Sequence, residues 1–137
     1  MNDLKVGDVL SGDSITVTEY HVIGFAGLTG DFNPLHVDED YARKTGFNGR
    51  IAHGLLSLSL GLGLISQKIH GYFLYGFDKI RFISPVRLGD TITPQLTVNE
   101  MEDRDKYTLY KCTLSVIKKG GPQVLNSTII LGRMKQQ

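Results

Sequence analysis

The chain has 137 residues, enough for one core with little room for a second, so a single domain over 1–137 is expected. Hydrophobic residues at 41% and charged residues at 21% are an ordinary globular balance, and a net charge of +1 gives no electrostatic case for a nucleic-acid or membrane partner. The single cysteine, Cys112, excludes an internal disulfide; with no apolar leader in Met1-Asn2-Asp3-Leu4-Lys5, a reducing, cytoplasmic home is expected.

In chain order, Ser14 to Val17 alternates and is rich in β-branched residues, which predicts a short strand. Thr18 is placed to cap a helix from about Glu19 to Leu28, with the early glutamate suited to the positive helix end. Thr29 to Val37 holds Gly30, Asn33 and Pro34 and reads as a loop. Asp38 can cap a second short helix, Glu39 to Lys44, ended by Gly46.

Ala52 to Gln67 is ambiguous. Leu56-Ser-Leu-Ser-Leu-Gly-Leu-Gly-Leu64 alternates as a strand does, yet its apolar residues are not β-branched, and the run is long for a strand. Leucine at every second position covers all sides of a helix, and such a helix is a buried one. Helix is the reading, with the period arguing the other way. The apolar run Ile51 to Ile65 is too short for a membrane span, which needs about 20 residues.

From Tyr72 onward the pattern is strand. Phe73–Phe77 and Lys79–Ile83 form one extended run with an irregularity expected near Gly76. Thr91–Val98, Tyr107–Ile117 and Val124–Leu131 then alternate, separated by Glu102-Asp-Arg-Asp-Lys106 and Gly120-Gly-Pro122. Helices first and antiparallel strands after predict an α+β fold.

The segment Phe25-Ala-Gly-Leu-Thr-Gly-Asp-Phe-Asn-Pro-Leu-His36 is the most informative for chemistry. Asp31, Asn33 and His36 lie within six positions, on a loop stiffened by Pro34. A carboxylate that accepts a proton and a histidine that donates one are what hydration of an alkene needs. The competing reading is a simple turn, in which Asp31 and Asn33 bond to their own backbone. Ile51-Ala-His-Gly54 precedes the buried helix, whose first amides lack internal partners. Gly54 there would let a carbonyl oxygen approach its N–H closely, as an oxyanion hole requires.

Together, Thr29-Gly-Asp-Phe-Asn-Pro-Leu-His36, Ile51-Ala-His-Gly54, and Phe82-Ile-Ser-Pro-Val86 followed by Leu88-Gly-Asp90 resemble the MaoC-like (R)-specific enoyl-CoA hydratases over nearly the whole chain. The resemblance implies a hot-dog fold, an antiparallel sheet wrapped around one long central helix, usually paired as a homodimer. It implies reversible hydration of a trans-2-enoyl-CoA thioester to the (R)-3-hydroxyacyl product, with no cofactor beyond the coenzyme A of the substrate. Asp31 and His36 would be the catalytic pair, Asn33 and His53 would support them, and Gly54 would supply an N–H to the thioester oxygen. Some members place a serine further along the helix, where this chain has Leu62; Ser57 and Ser59 are expected on other faces.

His21, His70 and Cys112 read as structural or solvent-facing, and no metal-ligand spacing is present. The basic pairs Arg43-Lys44 and Lys118-Lys119, or Arg81 or Arg87, could meet coenzyme A phosphates, with nothing to select among them. The alternatives are a hot-dog thioesterase, disfavoured because Ile51 to Gln67 holds no carboxylate, and a non-catalytic acyl-binding subunit, which would be expected to lose Asp31 and His36.

Overall fold

The sheet follows from the alternation of the second half. The computed structural model describes residues 3–136, so Met1 and Asn2 of the opening segment lie outside that range. Three long strands, β4 (Thr91–Asp103), β5 (Tyr107–Lys118) and β6 (Gln123–Met134), bury every second side chain over much of their length. Leu96 faces Leu114, which faces Ser127, and Val98, Cys112 and Ile129 form the next row. Each row is buried. The Ser127 hydroxyl is satisfied within the core, donating to Leu114 O at 2.9 Å.

The six-stranded antiparallel sheet runs β1-β4-β5-β6-β3, with β1 (Val9–Ser11) and β2 (Ile15–Thr16) both on β4. β3 (Phe73–Phe82) forms the opposite edge, with register shifts on either side of Gly76, as its sequence suggests. β4 extends five residues past the expected Val98 end, because a bulge between Val98 and Glu100 re-registers the strand instead of ending it. Glu102 and Asp103 therefore belong to the strand, not the turn.

The helices are α1 (Glu19–Thr29), α2 (Pro34–Val37), α3 (Glu39–Arg43) and α4 (Gly54–Ser66). The leucine run is helical. Leu56, Ser57, Leu58, Gly61 and Ile65 are its buried residues, a helical stripe, while Leu55, Ser59 and Gly63 face outward despite the twofold sequence period. α4 packs on β4 and β5. Gly61 permits this, since a Cβ there would stand 2.6 Å from Val116 Cγ2. No described helix is long and apolar enough to cross a membrane.

Two further elements depart from expectation: β1 forms where no strand was expected, and α2 lies inside the segment read as loop. Pro34 sits at the helix start, and Asn33, outside the helical region, caps it by accepting the Leu35 amide at 3.1 Å. That single turn places His36 on the core side of the loop.

Candidate active site

The approach to the site is a stair of side-chain-to-backbone bonds. Thr29 Oγ1 accepts from the Asp31 amide at 3.2 Å, Asp31 Oδ1 from the Asn33 amide at 3.2 Å, and Asn33 Oδ1 from the Leu35 amide at 3.1 Å. The turn reading is thus correct as far as it goes. It consumes only one Asp31 oxygen, however, and Asp31 also lines a cavity of about 410 Å³. Asn33 is absent from that lining; its work is to hold the turn.

His36 and His53 form the adjoining wall. His36 Nδ1 donates to Ile51 O at 2.8 Å. A carbonyl only accepts, so this nitrogen carries the hydrogen, and in the neutral ring Nε2 is then the acceptor. His53 is 2% exposed, and its Nε2 donates to the Asp31 carbonyl at 2.9 Å. The two rings stack, centroids 3.9 Å apart at 29°, with Phe25 tilted against His53 at 4.9 Å. His53 Nδ1 is the one buried side-chain nitrogen or oxygen without a partner among the described residues.

Asp31, His36 and His53 each bring an oxygen or nitrogen to within 4.8 Å of the others, a donor set suited in composition to a transition metal. Ring geometry opposes it. Imidazole lone pairs lie in the ring plane, and two stacked planes send them side by side instead of to one point. Hydrogen bonds to a water or a substrate oxygen suit this wall better.

His53 leads directly into the start of α4. Its first turn leaves the Gly54, Leu55 and Leu56 amides without intrahelical partners, and the first bonded amide is that of Ser57, to His53 O at 3.2 Å. Gly54 lines the cavity, and a Cβ there would stand 2.8 Å from the Phe82 ring. Glycine is therefore needed for the β3 aromatic to lie against the helix start. The remaining lining is mostly apolar, including Phe47, Ile51, Ile83, Val86 and Val124.

Residues 4–119 match the MaoC like domain family. The chain belongs to this family. It is 37% identical over 118 residues to an (R)-specific enoyl-CoA hydratase of Rhodospirillum rubrum, covering 85% of this chain and 81% of that one. A solved (R)-hydratase of Aeromonas caviae, involved in PHA biosynthesis, matches with TM-score 0.82 and 29% identity, covering 96% of this chain and 98% of that one. A monoamine oxidase regulatory protein from Archaeoglobus fulgius matches with TM-score 0.92 and 35% identity, covering 98% and 93%. The antiparallel sheet packed on α4 is the hot-dog arrangement.

One expectation about this MaoC-like site is overturned. Ser57 does not lie on another face of the helix: it is 2% exposed and lines the cavity. It stands four residues after His53, and that spacing stacks side chains on one helix face. Ser59 is exposed, and Leu62 packs against the core outside the cavity lining. Sequence reading also missed Phe82 as a wall and Arg50, whose partner Glu19 is 31 residues away. The i, i+4 spacing would have found Ser57; nothing local would have found Arg50.

His21 and His70 serve structure. His21 Nδ1 accepts from the Thr18 amide at 2.9 Å, and His70 Nε2 donates to Gln67 O at 3.1 Å. Among the basic residues, Arg43 pairs with Glu39 at 3.1 Å and Lys118 with Asp90 at 3.0 Å, while Arg87 donates to Phe47 O.

Proposed function

We propose that this chain adds water reversibly to a trans-2-enoyl thioester, giving the (R)-3-hydroxyacyl product. The observation that carries the reading is that Asp31 and His36, with polar atoms within 4.8 Å of each other, line one largely apolar cavity together with Gly54, at the unpaired start of α4. A water between Asp31 and His36 Nε2 donates one hydrogen to each. Its oxygen attacks C3, one of its protons passes to the pair, and the pair returns a proton to C2, so no net proton is gained or lost. Charge gathering on the thioester oxygen meets the Gly54 N–H and the positive end of α4. The relatives named as (R)-specific enoyl-CoA hydratases support the substrate class. Coenzyme A is proposed to be part of the substrate, with no resident cofactor.

The chain is further proposed to act as a homodimer in the cytoplasm. β3 is an edge strand carrying Phe73, Leu74, Tyr75, Phe77 and Phe82, each more than one-third exposed, and unpaired edge amides invite a second β3. The pairing would run beside the cavity, which Phe82 lines.

The test is loss of enoyl absorbance on adding the protein to crotonyl-CoA, with free thiol read in the same tube. Absorbance loss without thiol supports hydration. Thiol release would transfer the assignment to thioesterase, a reading that α4, with no carboxylate along it, does not favour. Silence toward both crotonyl-CoA and longer enoyl thioesters would leave a non-catalytic subunit.

A further inference from the structure

His36 is gripped twice by one short strap. Its ring donates from Nδ1 to Ile51 O at 2.8 Å, and its backbone carbonyl accepts from Arg50 Nε at 2.6 Å. The strap is bonded on both sides, Ile51 N to Leu35 O at 3.4 Å and Ala52 N to Val86 O at 2.7 Å. Arg50 is in turn fixed from behind. Its Nη1 and Nη2 meet Glu19 Oε2 and Oε1 at 2.8 and 2.5 Å, a two-pronged pairing at the first turn of α1. The guanidinium side chain is 13% exposed, while Glu19 is 57% exposed. A planar fork with its two outer nitrogens clamped leaves its Nε–H pointing one way only, here at the His36 carbonyl.

We propose that Arg50, clamped by Glu19, is a positioning residue that sets where the His36 imidazole stands over the cavity. The proposal rests on His36 being a catalytic group. Catalysis is sensitive to such placement: a displacement of about 1 Å costs on the order of 100-fold in rate. Lysine cannot replace the fork, because an ammonium is a point donor without the guanidinium's fixed geometry.

The test is a mutant cycle on hydration of crotonyl-CoA, with Arg50→Lys and Arg50→Gln made in wild-type and His36→Ala backgrounds. In the wild-type background, kcat is expected to fall roughly 10- to 100-fold with KM within about twofold. In the His36→Ala background, the same changes should leave the residual rate within about twofold, since nothing remains to be positioned. Equal losses in both backgrounds, or no loss in the first, would overturn the proposal. A second readout needs no activity: the ¹⁵N and ¹H resonances of the His36 ring should report a hydrogen-bonded Nδ1–H in the native protein and an altered one in Arg50→Gln. An unchanged ring signal would overturn the brace. Wild-type silence toward enoyl thioesters would remove the proposed function while leaving the ring signal to decide the brace. If Arg50→Gln does not fold, Glu19→Gln, at the exposed end of the clamp, should still lower kcat on the order of threefold without a change in KM; an unchanged kcat would overturn the proposal.

Discussion

The loop from Thr29 to Val37 and the helix α4 line one cavity but are held by opposite means. In the loop, Thr29 to Pro34 are all exposed, and order comes from hydroxyl, carboxylate and amide groups bonded to amides two residues on. In α4, order comes from apolar burial against β4 and β5, with Leu56, Leu58 and Ile65 at 0–5% exposure. The proposed chemistry thus uses polar groups that remain accessible, and stability sits where they cannot. Changes in the loop should show in rate, and changes under α4 in stability.

The largest effect expected on that division is Asp31→Asn, which keeps the side chain's shape and one turn acceptor but removes the charge. Its kcat for enoyl-thioester hydration should fall by about 10²–10⁴-fold, with the thermal midpoint nearly unmoved. A large drop in midpoint would blur the division, and near-normal turnover would remove Asp31 from its role. On the other side, Ile65→Ala empties a fully buried site. It should cost about 2–5 kcal/mol in urea unfolding while leaving kcat per folded molecule unchanged.

Asn33→Ala lies between these. Losing the α2 cap is worth about 1 kcal/mol of local order. Since Asn33 is outside the cavity lining, that loss should appear as a fall in kcat of up to roughly tenfold and little global unfolding. A smaller effect comes from Glu19, whose carboxyl is held below its usual range chiefly by the hydrogen bond from Arg50, partly opposed by desolvation and helped by that residue's charge. With the folded value depressed, the contribution is complete above the unfolded value, near pH 4.3, and is lost as pH falls through the folded one. Thermal midpoints taken from about pH 6 down to about pH 3 should therefore drop slightly less steeply in Glu19→Gln than in the native protein. The smallest change is chemical silence: burial pushes the Cys112 thiol up to about 12, so a thiol reagent at neutral pH should label it only after unfolding.

The elements were legible because their causes are local. Alternation marked β4, β5 and β6, Thr18 and Asp38 marked helix starts, and Thr29 to His36 with Ile51 to Gly54 carried the family resemblance. The leucine run shows the limit of periodicity, since a chain alternating by two is compatible with a helix once every side of it is apolar. Its burial by helical turns came only from packing, with Gly61 letting α4 settle against Val116.

The sequence by itself determined the alternating faces of β4, β5 and β6, and which short segment holds a carboxylate and an imidazole close together. Tertiary structure alone decided the rest. It stacked His53 on His36, turned Ser57 into the cavity, laid Phe82 over Gly54, and brought Glu19 and Arg50 together behind His36. The reason is range. Capping, turns and alternation act over a few residues, whereas these contacts join residues brought together by the docking of α1, the strap and β3 around α4.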